Sequence, residues 1–163
     1  MLFSTKAEYG VRLMVELGRR AGGSDPSLAQ PAALGAIAGA ENLPLSYLEH
    51  LVARLREAGL VTSVRGACGG YRLSRPVDQI DMLEVVQALE GPIAPMECFT
   101  PDAEGRVLCS HTSDGDHACS TKFLWTRVQG GVTRALSQTT LGELVAFGEQ
   151  DEPESGSVPA LAG

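Results

Sequence analysis

No apolar run in this 163-residue chain approaches the length needed to cross a bilayer, so a helical membrane span is not expected. A secretory leader is not expected either. Met1-Leu2-Phe3 gives way at once to Ser4-Thr5-Lys6-Ala7-Glu8, and the expected location is the cytoplasm. Cysteine is sparse. In a reducing compartment the four thiols, Cys68, Cys98, Cys109 and Cys119, point to metal binding or redox sensing rather than a disulfide framework. No nucleophile-base pair or cofactor motif stands out, which argues against an enzyme and against a small-molecule substrate. The glycines at 66, 69 and 70 lack the Gly-Lys-Ser/Thr continuation of a phosphate loop, and a hairpin turn accounts for them better.

Positive charge is in short supply overall, with a net charge of -7, but the total hides an asymmetry. Residues 1–75 carry nine Lys/Arg against six Asp/Glu, whereas residues 76–163 carry four against fourteen. DNA affinity follows local positive charge, so the first part is the candidate DNA-binding face and the second is turned away from phosphates.

What the chain does have is helical periodicity. Thr5 and Glu8 have the spacing of a capping box, and Gly10, Leu13, Met14, Leu17 and Ala21 recur behind them, predicting a helix over 5–21. A polar connector at 24–31 precedes a short helix over 32–40 with Leu34, Ile37 and Ala38 inward. Glu41-Asn42-Leu43-Pro44 turns the chain. Ser46 and Glu49 have capping-box spacing at the start of a third helix, whose stripe is Leu48, Leu51, Val52, Leu55 and Ala58 and which closes at Gly59. Its outer face holds Tyr47, Glu49, His50, Arg54 and Arg56. Two short helices around a tight turn, the second polar outside, read as helix-turn-helix. Leu60–Arg65 and Tyr71–Ser74 then form strands around the glycine turn, which predicts a wing.

Asp81 opens a fourth helix carrying Leu83, Val86 and Leu89, and Gly91-Pro92 stops it. A long helix over 120–138 follows, marked by Phe123, Leu124, Val128, Val132, Ala135 and Leu136. Gly130-Gly131 interrupts it, at about 1 kcal/mol each relative to Ala; the pair would allow close helix approach or a kink. Thr140 and Glu143 cap a last short helix with Leu144, Val145 and Phe147 inward, and the tail beyond reads as disordered. The fold class is mainly α with a small β-wing.

Between the fourth and fifth helices lie Cys98, Cys109 and Cys119, with ten and nine residues between them in a segment rich in Asp, Gly, His and Ser. Such a segment has too few apolar residues to order itself by packing, and a metal centre would fix it. Three soft thiolates suit an iron-sulfur cluster or zinc, although compact zinc sites more often pair cysteines two to four residues apart.

Leu45-Ser46-Tyr47-Leu48-Glu49 with Arg54-Leu55-Arg56, Gly59-Leu60-Val61 through Ser63-Val64-Arg65-Gly66 to Gly69-Gly70-Tyr71, Cys119 with Leu124-Trp125, and Thr140-Leu141-Gly142-Glu143-Leu144 occur here in that order. In these residues the chain resembles the iron-sulfur winged-helix transcription regulators of the IscR, NsrR and RirA type, over nearly all of residues 1–148. The resemblance implies a homodimer on double-stranded operator DNA, acting as a repressor, with Cys98, Cys109 and Cys119 ligating the cluster. It implies a winged helix-turn-helix domain over 1–91, a cluster-binding loop over 92–119, a dimerisation helix and short C-terminal helix over 120–148, and a tail over 149–163.

Two departures stand out. The loop spacing is longer than the family's usual pattern, and Lys122 stands where the cluster regulator has a histidine. The fourth ligand is therefore sought elsewhere. Nitric-oxide-sensing relatives place an acidic residue at the position of Glu8, while His111 and His117 lie in the loop itself. Glu8 has an ordinary alternative role in capping its helix or pairing with Arg12. Without the histidine, a 4Fe-4S cluster is favoured over 2Fe-2S. For DNA, the expected contacts are Ser46, Tyr47 and Glu49 at the start of the recognition helix and Arg65 with Gly66 at the wing. Zinc or a thiol switch on the same scaffold, and an electron-transfer or cluster-carrier protein, are the alternatives.

Overall fold

The computed structural model describes residues 3–21, 29–66, 68–94 and 120–150. The elements in order are α1 (Thr5–Ala21), α2 (Leu34–Glu41), α3 (Leu45–Glu57), β1 (Val61–Val64), β2 (Gly70–Leu73), a 3-10 turn at Val77–Gln79, α4 (Met82–Glu90), α5 (Ser120–Ser137) and α6 (Leu141–Gln150). This is the mainly helical architecture with a small wing that the periodicity predicts.

The core forms because each helix turns one stripe inward. Leu13, Met14 and Leu17 of α1 meet Ile37 of α2, Leu48, Leu51, Val52 and Leu55 of α3, and Val85 and Leu89 of α4, all buried. Burial of a side chain of this size stabilises by about 1.5–3 kcal/mol, which outweighs the weak intrinsic preference of helices as short as α2. In α4 the buried set is Met82, Val85, Val86 and Leu89, while Leu83 is half-buried. Leu141 at the start of α6 is fully buried against α1, so the end of the chain returns to the same core.

The turn between α2 and α3 rests on Asn42, which adopts the left-handed conformation (φ 52°) and donates its amide to the Ala38 carbonyl. Asparagine tolerates that region better than most residues. The wing is antiparallel with Val61 opposite Leu73 and Val64 opposite Gly70. A third segment joins it. Ala32, expected to start α2, is instead paired with Tyr71, the amide of each donating to the carbonyl of the other at 2.8 and 2.9 Å. The helix therefore begins at Leu34. Gly70 is needed there, because a Cβ would strike the Ala32 carbonyl and stand 2.9 Å from the Ala33 amide.

Three capping expectations fare differently. At α6 the box forms as read: Thr140 donates its amide to the Glu143 carboxylate at 2.7 Å, and the Glu143 amide donates to Thr140 Oγ1 at 3.2 Å. At α3 it does not. The helix starts two residues early, at Leu45 with Pro44 rather than Ser46 as the cap, and no side chain caps it, so Ser46 and Glu49 are left facing solvent. At α1 the box is replaced by Ser4, whose Oγ accepts the Lys6 amide at 3.1 Å, and by the distant Glu90, while Glu8 turns to Arg12.

α5 runs through Gly130 and Gly131 without interruption. None of its described side chains is buried, and Phe123 and Leu124 are 70% and 53% exposed. Phe147 of α6, expected inward, is 50% exposed; Leu144 and Val145 do pack on the core.

Candidate nucleic-acid interface

The recognition helix presents its polar face because the opposite stripe is consumed by the core. Leu48, Leu51, Val52 and Leu55 are buried, which leaves Leu45, Ser46, Glu49, His50, Arg54, Arg56 and Glu57 exposed. Ser46 and Glu49, freed of capping, are available to donors and acceptors on base edges at the helix start. Tyr47 is placed otherwise. It is half-buried, with its ring edge-on to Tyr9 of α1 at a centroid distance of 5.7 Å, so the ring fastens α3 to α1.

Arg65 and Gly66 lie at the exposed end of β1, where Gly66 takes φ 122° and accepts the Gly69 amide through its carbonyl at 2.9 Å. That turn needs glycine and projects the neighbouring guanidinium into solvent. Cys68 is exposed in the same turn. Arg54, on the same outer face, is exposed and donates Nη1 across to the Leu89 carbonyl at the end of α4, at 3.3 Å.

Glu8 lies on the solvent side of α1. Its carboxylate accepts from Arg12 Nε at 2.9 Å, and the two side chains are 58% and 48% exposed. Such an i,i+4 pair is worth about 0.3–0.5 kcal/mol. Cys98, Cys109, Cys119, His111 and His117 lie outside the described residues, as does the tail beyond 150. Among the described residues no group of three or more His, Cys, Asp or Glu is placed to hold a metal.

One structural residue escaped the sequence reading. Glu90 ends α4, where a carboxylate opposes the dipole of its own helix. That placement was the available signal. The carboxylate accepts the Ser4 amide at 3.1 Å, the Ala7 amide at 3.3 Å and the Ser4 hydroxyl, and Lys6 Nζ lies 3.8 Å away. Partial burial raises its pKa, but these donors and the Lys6 charge outweigh that and hold it below 4.5.

No described helix is long and apolar enough to cross a membrane. The Rrf2 family model, described as an iron-dependent transcriptional regulator, matches residues 3–146. The chain is similar to the transcriptional regulator CymR of Bacillus subtilis, 37% identical over 153 residues that cover 93% of this chain and 96% of the relative. The structure of CymR, the global cysteine regulator of that organism, superposes with a TM-score of 0.70 at 36% identity, covering 90% of this chain and 98% of the other. That of T. potens IscR gives 0.71 at 31% identity, covering 96% and 94%. These relatives regulate transcription and are not enzymes. With its winged helix-turn-helix, its exposed recognition face and this agreement over nearly its whole length, the chain belongs to the Rrf2 family of DNA-binding transcriptional regulators.

Proposed function

We propose that this regulator is a homodimeric repressor whose affinity for operator DNA depends on an iron-sulfur cluster, so that it reports cluster, iron, redox or nitric-oxide status. The donor set carries the reading. Cys98, Cys109 and Cys119 provide three thiolates in one segment between α4 and α5, a soft ligand set suited to iron-sulfur chemistry. Glu8 fits as the fourth ligand because its carboxylate is exposed and held only by a weak surface pair with Arg12. An oxygen ligand in place of the family's histidine favours 4Fe-4S over 2Fe-2S. The bound cluster would supply a centre whose ligation responds to oxygen or nitric oxide. The rest belongs to the chain: Ser46, Tyr47, Glu49, Arg65 and Gly66 meet DNA, and the exposed Phe123 and Leu124 of α5 supply the apolar surface for a second copy in the cytoplasm.

A second reading keeps the scaffold and replaces the cluster with a thiol switch or structural zinc, and the similarity to a cysteine regulator favours it. Iron, sulfide and zinc content with an absorption spectrum, on protein purified without oxygen, separates the two. Iron and sulfide in matching amounts with visible thiolate-to-iron bands are expected. Zinc alone, or no metal after attempted reconstitution, would move the assignment to the second reading.

A further inference from the structure

The end of α4 collects hydrogen bonds from three other parts of the fold. The Glu90 carboxylate caps the first turn of α1 through the Ser4 and Ala7 amides. One residue earlier the Leu89 carbonyl accepts Arg54 Nη1 from the recognition helix at 3.3 Å, and three residues later the Ile93 carbonyl accepts the Gln129 amide of α5 at 2.7 Å. Leu89 also packs so closely on α1 that a Cβ at Gly10 would collide with its side chain. A cap contributed by the far end of the domain makes the first turn of α1 depend on where α4 ends. Residues 89–93 stand directly before the segment that holds the three cysteines.

We infer that Arg54 and Glu90 are positioning residues that fasten the DNA-reading helix and the Glu8-bearing turn of α1 to the base of the cysteine segment. Arg54 then serves coupling rather than phosphate binding. The inference rests on the cluster-dependent function above and names the route by which that site reaches DNA. A cofactor shifts DNA affinity only as far as the two conformations it distinguishes differ in their contacts, and these two hydrogen-bonded links join the two regions.

The test compares operator affinity of the full chain with the cluster reconstituted and after its removal, in wild type, Arg54→Met, Arg54→Lys and Glu90→Gln. Methionine keeps the stem of Arg54 without the donor, and glutamine keeps the shape of Glu90 without the charge. In wild type the two forms should differ by about tenfold or more, within the usual range of coupling between sites. The ratio should fall to within about threefold of unity in Arg54→Met, shrink in Glu90→Gln and partly recover in Arg54→Lys. Amide exchange across residues 45–57 should respond to cluster removal in wild type and not in Arg54→Met. The salt dependence of cluster-free binding should not change in Arg54→Met, whereas a slope lower by about one would assign Arg54 to a DNA phosphate and overturn the inference. A wild-type ratio kept intact in both Arg54→Met and Glu90→Gln would overturn the coupling route alone. A wild type that binds equally with and without the cluster would remove the cluster-dependent function itself.

Discussion

The rings of Tyr9 and Tyr47 meet edge to face with their planes at 89°, which ties the outer start of the recognition helix to α1. Removing the ring at 47 should therefore weaken the fold before it says anything about DNA. Tyr47→Ala is expected to lose about 2–4 kcal/mol in urea unfolding, in the range of other large-to-small changes, while Tyr47→Phe stays within about 1 kcal/mol of wild type. Loss of operator affinity in Tyr47→Phe would then report the hydroxyl alone.

Gly70→Ala drives a methyl group into the Ala32 carbonyl. Backbone on the other side cannot swing away as a side chain could. We expect a loss of about 1–3 kcal/mol and faster exchange of the Ala32 and Tyr71 amides, with the helices retained by circular dichroism. A variant as stable as wild type would show that the Ala32–Tyr71 pairing is soft.

On α5, Leu124, Gly131 and Ala135 share a stripe turned away from Gln129, which faces α4. Nothing lies within 4 Å of a Cβ at Gly131 in the single chain. Helix propensity alone would make Gly131→Ala stabilising by about 1 kcal/mol. If the mate packs on this stripe, the added methyl should instead weaken the dimer several-fold in sedimentation equilibrium; an equally tight dimer would place the seam elsewhere on α5.

Glu8→Ala removes an exposed pair with Arg12, so the cluster-free fold should change by less than about 0.5 kcal/mol. Any effect on the cluster is then a ligand effect. For the proposed cluster the expected outcome is an altered visible spectrum and faster cluster loss; wild-type spectrum and stability would leave His111, His117 or no fourth protein ligand.

The charged Glu90 links the stability of α1 to pH. Its folded pKa lies below 4.5, so it binds fewer protons folded than unfolded as that range is crossed. Its stabilising contribution is complete above the ordinary glutamate range and is lost as pH falls through the lower folded value. Acid titration followed by unfolding should show a shallower loss of stability in Glu90→Gln than in wild type, with the gap closing as pH drops. Parallel curves would assign the acid sensitivity to other carboxylates.

Much of this fold was legible because burial repeats at helical spacing: Leu13, Met14 and Leu17, or Leu48, Leu51, Val52 and Leu55, can hide together only on a helix. The Thr140–Glu143 box was readable for the same local reason. What sequence could not show were choices settled between distant segments. Thr5 and Glu8 carry the right spacing, yet the first turn is capped instead by Ser4, which accepts the Lys6 amide, and by Glu90, which accepts the Ser4 and Ala7 amides, while Glu8 goes to Arg12. Ser46 and Glu49 carry it too, but the helix gains a turn position by starting at Leu45, where Leu43 and Leu48 are both buried. Tyr47 was read as a DNA contact from its place on the outer face, and only the proximity of Tyr9 reveals that its ring also packs. Ser46, Glu49, Arg65 and Gly66 sit exposed where the pattern put them.

At the start of α4 the Met82 amide donates to the Thr139 carbonyl at 2.9 Å, and the Leu141 amide donates to the Ile80 carbonyl at 2.8 Å. Together with Gln129 on Ile93, these bonds hold the two ends of α4 against the middle of α5 and the turn that follows α5. The number of residues strung between two fixed points enters the free energy only logarithmically, at about 0.6 kcal/mol for each doubling. By this measure a longer interval between α4 and α5, where Cys98, Cys109 and Cys119 stand in the sequence, costs the fold little.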